Sequence, residues 1–316
     1  MKDPFLLYST EEYAQIHNMP TIAFPKMLIM QASSYCNFDC LQCPRQTKVE
    51  RRKVTGMGNG YLPVDLLAKA ADEFKDEPSF LGVLFALYGE PLMNRNIAEM
   101  VRIVKAAGKK VQITTNACLL DEETIVRLCD AGIDKIKISF QGTTEKEYGF
   151  WRNNPHFDRV NANIMKLLQI REQRKAGLYV QIGTSVANDT DEEIESFVKK
   201  WRGVVDNVYY EPTGMLHIQD KDYVKGKTFR FQAVRRTEPC FDIFSRMAVL
   251  YNGNVPLCVD DEEHCLGNLY KSSIKEIWHG AAFEANRRRI ISEGNVLPPC
   301  QFCYTAPRET VNPLQR

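Results

Sequence analysis

The sequence has no long apolar run, almost no net charge and no secretion signal. None of its apolar stretches approaches the roughly 18 residues that a transmembrane helix requires. The 41 Lys and Arg residues balance the 40 Asp and Glu residues and leave a net charge of +1. The N-terminus lacks the apolar core and the small-residue cleavage site of a signal peptide. These absences argue against a membrane protein and against binding nucleic acid through bulk charge, and they predict a cytoplasmic protein.

Histidine is also scarce, and cysteine is too sparse for a disulfide scaffold. The five histidines are scattered without the spacing of metal ligands. Ten cysteines in 316 residues are about 3% of the chain, far below the density of disulfide-rich domains. Two groups of cysteines nevertheless stand near the two ends of the chain. Clustered cysteines in a chain without a secretion signal indicate metal ligands or catalytic groups.

Apolar runs alternate with amphipathic segments about six times. Strands are predicted at 27–32, 81–87, 110–115, 134–140, 178–186 and 206–211, and the helices at 64–74, 97–107, 121–131, 157–175 and 190–201 lie between them. This alternation predicts an α/β fold with a parallel sheet, of the partial (β/α)6 TIM barrel type, since a closed barrel has eight units. Ligands in such folds bind at the carboxyl ends of the strands.

The pattern divides the chain into four parts. They are a lead-in (1–25), a core (26–211), a linker (212–239) and a small C-terminal region (240–316). In the last part, two short apolar runs flank Asn252-Gly253, which is a strong β-hairpin signal. Helices are predicted at 273–278 and 281–291, so we expect a small β-hairpin plus helix domain.

The first cysteine group follows the first predicted strand directly. Cys36, Cys40 and Cys43 place three thiolates on one short loop. Three thiolates cannot complete a four-coordinate zinc site alone, but they can hold three irons of a 4Fe–4S cluster and leave the fourth iron open. The spacing leaves two alternatives, structural cysteines and half of a zinc site.

Three further motifs follow the next three strands in order. They are Tyr88-Gly89-Glu90-Pro91-Leu92, Thr114-Thr115-Asn116-Ala117 and Ser139-Phe140-Gln141-Gly142. With Cys-x3-Cys-x2-Cys before them, residues 26–211 resemble the radical S-adenosylmethionine (SAM) superfamily. The chain departs from the family pattern at Tyr88, Ala117 and Gln141, and at Gln42, where an aromatic residue is common.

The resemblance implies a cofactor and roles for the motif residues. A 4Fe–4S cluster on Cys36, Cys40 and Cys43 would bind SAM and split it into methionine and a 5′-deoxyadenosyl radical. Glu90 is suited to accept hydrogen bonds from the ammonium of SAM, and Thr115 and Ser139 offer hydroxyls for its carboxylate or ribose. The remaining residues expected at the cofactor are Tyr88, Gly89, Asn116 and Arg152; we expect Arg152 to pair with the carboxylate.

The second cysteine group comprises Cys240, Cys258, Cys300 and Cys303. Four thiolates suit either structural zinc or a fully ligated 4Fe–4S cluster, and the spacing does not decide between them. Beside a radical SAM core, the layout resembles the Twitch domain, a shortened SPASM domain that holds one auxiliary 4Fe–4S cluster.

Two further residues are catalytic candidates. Cys265 is either a buried strand cysteine or a thiol that returns a hydrogen atom to a substrate radical, as in radical epimerases. Asp260 and its neighbour Asp261 follow Cys258 and could act as a general base or bind a hydroxyl. Solvated carboxylates are the alternative.

The resemblance favours dehydrogenation of a carbohydrate, an aminocyclitol or a similar small polar molecule. An auxiliary cluster can accept the electron left after hydrogen abstraction, and the order of the four cysteines is similar to that of Twitch enzymes that oxidise an aminocyclitol. A flavodoxin- or ferredoxin-type reductant is implied. Epimerisation through Cys265 is a further outcome. Modification of a ribosomally made peptide and a non-catalytic electron carrier are the alternatives; about 25 residues before the first strand leave little room for a peptide-recognition domain.

Overall fold

The computed structural model describes residues 2–5, 21–43, 45, 58–154, 156–214, 229–231, 234–236, 240–259, 261 and 264–305. The strands are β1 (Met27–Met30), β2 (Gly82–Phe85), β3 (Lys110–Thr115), β4 (Lys135–Ser139), β5 (Tyr179–Val186), β6 (Asn207–Pro212), β7 (Val234–Arg235), β8 (Arg246–Val249), β9 (Asn254–Pro256), β10 (Cys265–Asn268) and β11 (Tyr304–Thr305). The α-helices are α1 (Val64–Phe74), α2 (Ile97–Ala106), α3 (Glu122–Asp130), α4 (Glu145–Arg152), α5 (Phe157–Gln173), α6 (Asp191–Trp201), α7 (Asp242–Ser245), α8 (Ile274–Trp278) and α9 (Ala281–Glu293). Short 3-10 turns lie at Pro91–Met93 and Pro298–Phe302.

Seven parallel strands form the main sheet in the order β6-β5-β4-β3-β2-β1-β8. The six strands predicted from the alternation are its first six members, with bounds that shift by one or two residues. No hydrogen-bonded pairing joins β6 to β8 within the described ranges, so the sheet is open. This confirms the predicted α/β fold of the partial-barrel type.

Local capping fixes where several helices begin. Asp121 caps α3 by accepting a hydrogen bond from the Thr124 backbone N–H. Thr190 and Glu193 form a capping box at the start of α6. These side chains satisfy backbone donors that have no partner inside the helix.

The two faces of the sheet differ in chemistry. Successive side chains of a strand point to opposite faces. On β4, Ile136 and Ile138 belong to the main apolar core that the helices cover. Lys135, Lys137 and Ser139 therefore face the other side, which we call the inner face. On the inner face, Phe5 packs against Met27, Ile29 and their neighbours.

The predicted hairpin around Asn252-Gly253 is wrong in its pairing. A tight turn does form there, with Gly253 at φ +80 and its N–H bonded to the Leu250 carbonyl. The two strands that flank the turn do not pair with each other, however. Strand β8 joins the main sheet beside β1, and β9 pairs antiparallel with β10. An open edge at β1 offers β8 a full row of hydrogen-bonding groups, which explains the difference.

The C-terminal region thus contributes a strand to the core and builds a small hairpin, β9–β10, beside it. Arg287 of α9 is buried and connects its elements by donating hydrogen bonds to the carbonyls of Ile243 and Trp278. A second apolar cluster includes Ile243, Leu257 and Ile290.

Candidate active site

A cavity of about 210 Å³ opens at the carboxyl ends of β1 to β4. It is lined by Cys36, Phe38, Cys40, Gln42, Cys43, Arg45, Leu87, Tyr88, Gly89, Glu90, Thr114, Thr115, Asn116, Ser139 and Arg152. All three cysteines of the first group and all seven residues expected at the cofactor are among them. The sheet therefore brings together the four motifs and Arg152, which lies 116 positions after Cys36.

The three thiols of this cavity lie in a poorly solvated environment. Burial, with a smaller contribution from Glu90, raises the pKa of Cys36 to about 12. Burial and the neighbouring Cys40 raise the pKa of Cys43 to about 11. The raised pKa values of Cys36 and Cys43 favour their protonated forms in the metal-free chain, so iron would displace protons from these two thiols on binding. Three sulfurs lining one cavity fit the three-thiolate side of a 4Fe–4S cluster, in which each thiolate binds a different iron.

Glu90 is buried at the centre of a hydrogen-bond network. Its Oε1 accepts bonds from the Thr115 hydroxyl (2.6 Å) and the Leu92 N–H (3.1 Å), and its Oε2 accepts one from the Asn116 N–H (2.9 Å). Burial raises the pKa of Glu90, although these donors oppose the shift. A carboxylate has about four lone-pair sites. Three are used by the protein, so one remains for a cationic ligand.

The backbone before Glu90 needs a glycine. Gly89 has φ +112, and a Cβ there would lie 1.9 Å from the Ser33 carbonyl oxygen. The N–H of Glu90 donates to the Tyr35 carbonyl over 2.7 Å. The loop after β1 therefore holds the loop after β2 at close range, which places Glu90 beside the cysteines.

Arg152 contacts the first cysteine group directly. Its Nη1 donates to Cys40 Sγ over 3.4 Å, and its Nη2 donates to the carbonyl and the hydroxyl of Ser139. Burial lowers the pKa of Arg152, but Cys40 and other neighbours raise it by more, so the guanidinium stays charged. Its buried Nε has no hydrogen-bond partner among the described residues.

The residues of the motif after β3, Thr114 to Ala117, also form hydrogen bonds within the protein. Thr115 donates its hydroxyl to Glu90, while Asn116 Nδ2 donates to Asn37 Oδ1 over 2.8 Å. Ala117 stands where the family has glycine and adopts φ 63, a left-handed conformation that glycine tolerates better. This backbone geometry explains the family's preference at that position.

A second, smaller cavity lies in the C-terminal region. It is lined by Cys240, Cys258, Cys300 and Cys303 together with mainly apolar residues such as Ile243, Leu257 and Leu297. Burial, followed by Asp242, raises the pKa of Cys240 to about 12. None of the ten cysteines, all of which lie in the described part of the chain, forms a disulfide. Within that part, no three His, Cys, Asp or Glu side chains are grouped for a single metal ion.

Of the two catalytic candidates, the structure describes only Cys265. Cys265 is in a strand, as predicted, but it is exposed rather than buried, and it lines neither cavity. Asp260 lies outside the described residues. Its neighbour Asp261 is buried and contacts His264 through both oxygens, at 3.1 and 3.0 Å from Nδ1.

Sequence reasoning missed several residues that shape the first cavity. Gln31, at the end of β1, donates to the Tyr88 carbonyl over 2.7 Å. Asn94 donates to the carbonyls of Ala32 and Leu62. For Gln31, a polar residue directly after a buried strand was the available signal, whereas Asn94 follows a 3-10 turn and gave none. The partners of both residues lie more than 25 positions away.

Within the described ranges, the structure contains no helix with the length and apolarity needed to cross a bilayer. Comparison with known proteins gives two family matches. Residues 30–222 match the Radical SAM superfamily, and residues 240–304 match SPASM, an iron–sulfur cluster-binding domain.

The individual relatives and solved structures described next share less than 30% of their aligned residues with this chain. The AdoMet-dependent heme synthase of Methanosarcina barkeri is 28% identical over 198 residues, which cover 60% of this chain and 52% of that protein. The chain thus spans about half the length of this relative. Among solved structures, Streptococcus suis SuiB bound to precursor peptide SuiA has a TM-score of 0.63 at 17% identity, covering 88% of this chain and 70% of SuiB. BtrN in complex with AdoMet and 2-DOIA has a TM-score of 0.54 at 19% identity. The alignment covers 87% of this chain and 89% of BtrN.

At these identities the two structures support the fold alone. The match over residues 30–222 spans more than half of the chain and includes all four motifs of the first cavity. The chain therefore belongs to the radical SAM superfamily and carries a SPASM iron–sulfur domain at its C-terminal side.

Proposed function

We propose that this chain dehydrogenates a small polar substrate, a carbohydrate or an aminocyclitol, at a hydroxyl-bearing carbon. The cofactors of its two domains are SAM and 4Fe–4S clusters. When bound, these groups supply the one-electron chemistry that removes a hydrogen atom from a substrate carbon and takes up the electron left behind.

The second cavity carries this proposal. Its four cysteines come from three separate segments, and apolar side chains fill the space around them. Four protein thiolates would fill every ligand position of a 4Fe–4S cluster, leaving no open iron for a substrate. Electron transfer is the task that suits such a site. A dehydrogenation releases an electron that must be accepted, whereas an epimerisation with return of a hydrogen atom does not.

The residues of the first cavity hold and orient the cofactor in this proposal. Cys36, Cys40 and Cys43 are the iron ligands. Glu90 offers its remaining lone pair to the ammonium of SAM. Arg152 acts as a positioning residue, because its guanidinium is already bonded to Cys40 and Ser139.

Anaerobic reconstitution with iron and sulfide tests the cofactor assignment. We expect about eight iron atoms per chain, and about four with one zinc would contradict the auxiliary cluster. Addition of dithionite and SAM should release 5′-deoxyadenosine. Fully loaded protein that releases none would reject the enzyme and favour the electron carrier.

A panel of cyclitols, aminocyclitols and sugars then tests the substrate class. We expect a new carbonyl group, detected by mass spectrometry as a loss of two hydrogens, together with one 5′-deoxyadenosine per product. BtrN, the radical SAM dehydrogenase of butirosin biosynthesis, supports this class because it aligns with most of both chains.

Epimerisation is tested at Cys265. Cys265 is exposed and lies outside both cavities, which argues against a role in returning a hydrogen atom to the substrate. We expect Cys265→Ser to keep full turnover. Lost product with retained SAM cleavage would instead support the thiol as the hydrogen donor.

Modification of a peptide is the second candidate, and SuiB supports it. SuiB was crystallised with its precursor peptide and has the higher TM-score of the two structures. Peptides encoded near the gene, incubated under the same conditions, would show a mass change if this candidate is correct.

A flavodoxin or ferredoxin replacing dithionite would identify the reductant, and a reducing compartment such as the cytoplasm suits both proposals.

A further inference from the structure

The end of α4 is joined to the cysteine loop by contacts that do not involve the guanidinium of Arg152. The Leu41 N–H donates to the Trp151 carbonyl over 2.9 Å, and the Leu41 side chain packs against the apolar cluster that contains Trp151. Leu41 directly follows Cys40 in the chain, and Trp151 directly precedes Arg152. The backbone therefore holds Cys40 and Arg152 side by side, whatever bond their side chains form.

The guanidinium of Arg152 is buried and lies between a sulfur and a strand end. Its Nη1 donates to Cys40 Sγ over 3.4 Å. Its Nη2 donates to the Ser139 carbonyl and, over 3.3 Å, to the Ser139 hydroxyl. Among the described residues, no carboxylate oxygen lies within 4.0 Å of this guanidinium. Burying a cation without a paired anion is costly, so the thiolate form of Cys40 is the partner that suits it.

The other arginine that lines the first cavity is neutralised by a carboxylate. Arg45 Nη2 lies 3.4 Å from Asp39 Oδ1 and donates to the Phe38 carbonyl over 3.1 Å. Cys36, by comparison, accepts a neutral hydrogen bond from the Phe38 N–H over 3.4 Å. The bond that Cys40 accepts is therefore of a different kind, because its donor carries a positive charge.

A charged donor at a ligand sulfur affects how easily an iron–sulfur cluster is reduced. Reduction adds one negative charge to the irons, the sulfides and their thiolate ligands. A guanidinium beside one of these sulfurs stabilises the more negative, reduced state more than the oxidised state, and burial strengthens the effect. Hydrogen bonds to the sulfurs are among the factors that set the reduction potential of such clusters.

We propose that Arg152 is a positioning residue that raises the reduction potential of the first cluster through its N–H···S hydrogen bond to Cys40. Ser139 orients the guanidinium by accepting from the second terminal nitrogen. This role differs from bidentate pairing with the carboxylate of SAM, because both terminal nitrogens are already engaged. The inference rests on the cofactor of the radical SAM domain and does not require the proposed dehydrogenation.

A redox titration of the reconstituted full chain tests the proposal without turnover. The potential of each cluster is measured by EPR spectroscopy in the absence of SAM. A parallel sample, frozen directly after SAM is added, identifies the first cluster as the one whose signal changes. Wild type is compared with Arg152→Gln, Arg152→Lys and the matched control Arg102→Gln, which removes one positive charge from an exposed position of α2.

We expect Arg152→Gln to lower the equilibrium constant for reduction of the first cluster about tenfold, a downward shift of about 59 mV for a one-electron couple. Arg152→Lys keeps the charge without the fork of donors and should restore part of the shift. Arg102→Gln should keep the wild-type potential, and so should the auxiliary cluster in every variant. An unchanged first-cluster potential in Arg152→Gln would overturn the proposal, and weakened SAM binding in that variant would then assign Arg152 to the carboxylate.

A second measurement on wild type does not depend on any variant binding iron. The chain is produced with arginine that carries the heavy nitrogen isotope, and pulsed EPR of the reduced protein detects nitrogen coupled to the cluster. We expect a coupling to arginine nitrogen that persists in Arg45→Lys. Its absence from fully loaded wild type would contradict the hydrogen bond. A chain that shows the coupling and the shifted potential but oxidises no polyol substrate would refute the proposed function alone.

Discussion

Gln42 Nε2 donates a hydrogen bond of 2.6 Å to Gln141 Oε1, although the two residues are 99 positions apart. Both positions depart from the radical SAM pattern, and the structure shows that the departures are one feature. Gln141 continues the chain of hydrogen bonds to the Ser185 carbonyl and the Thr213 hydroxyl, each over 3.0 Å. Gln42 therefore connects the cysteine loop to the far strands of the sheet.

The Gln42–Gln141 pair predicts coupled mutations. Gln42→Leu and Gln141→Leu each leave a buried amide group unsatisfied, at a cost of about 1–3 kcal/mol. The double variant should lose less than the sum, with a coupling of about 0.5–3 kcal/mol. Calorimetric unfolding of the anaerobic holoprotein measures this. The exposed Gln173→Leu is the control and should change nothing, and strictly additive losses would contradict the pairing.

Glu90→Gln should weaken SAM binding. The carboxamide replaces an acceptor oxygen with a donor, yet the N–H groups of Leu92 and Asn116 are fixed in place. One of them then faces another donor, which costs about 1–3 kcal/mol. We expect roughly tenfold weaker SAM binding from the lost charge-assisted bond, measured by the SAM-induced change in the cluster spectrum. The exposed Glu99→Gln on α2 should behave as wild type; unchanged affinity in Glu90→Gln would rule out the assigned contact.

Gly183→Ala should displace the Tyr209 ring. The new methyl group overlaps Cζ, and overpacking of this kind costs about 1–3 kcal/mol. Adding Tyr209→Ala to it removes the clash, so the double variant should lose less stability than the two single losses added together. Thermal unfolding compares the three variants with Gly177→Ala, where a Cβ meets nothing within 4 Å. A fully tolerated Gly183→Ala would show that the ring does not need this space.

Lys135 predicts a pH dependence of stability. Burial lowers its pKa below the ordinary 10.5, although Asp3 pulls the value upward. Between the folded pKa and 10.5 the unfolded chain binds more protons, so stability rises with pH in that window and is lost as pH falls through the folded pKa. Lys135→Met should remove this rise, whereas the exposed Lys166→Met should keep it. Melting temperatures measured from pH 7 to pH 10 test this prediction. Parallel curves of melting temperature against pH for wild type and Lys135→Met would refute the effect.

Cys303→Ser should remove the auxiliary cluster alone. We expect iron to fall from about eight to about four atoms per chain, with 5′-deoxyadenosine still released and substrate oxidation lost. Cys129→Ser, in α3 and outside both cavities, is the matched control and should retain all the iron. Retained oxidation after loss of the second cluster would exclude its role as the electron acceptor.

Much of the fold could be read from periodicity. Strands β1 to β6 and their helices were predicted because burying one face of each element against a common core imposes regular apolar spacing. The motif residues could be placed at the carboxyl ends of strands for the same reason. The short strands of the C-terminal region carry too few residues for such a pattern, and the pairing of β8 was missed there.

Within the site, sequence identified which residues meet but not what each one binds. Thr115 was expected to offer its hydroxyl to the cofactor, and in the structure that hydroxyl donates to Glu90. Arg152 bonds to Cys40 and Ser139 within the protein. Hydrogen-bond partners depend on distances of a few tenths of an ångström, which a residue pattern does not encode.

By itself the sequence determined the family, the order of strands and helices, and the two groups of thiols, because these follow from local spacing and from burial along one chain. Only the tertiary structure decided that β8 completes the sheet, that Gln42 meets Gln141, and that Tyr209 crosses Gly183 to reach Lys137. Those contacts join residues from 26 positions apart, at Gly183 and Tyr209, to 219 positions apart, at the paired Met27 and Arg246 of β1 and β8. They arise from strand register and side-chain packing, which become defined only when the whole sheet has assembled.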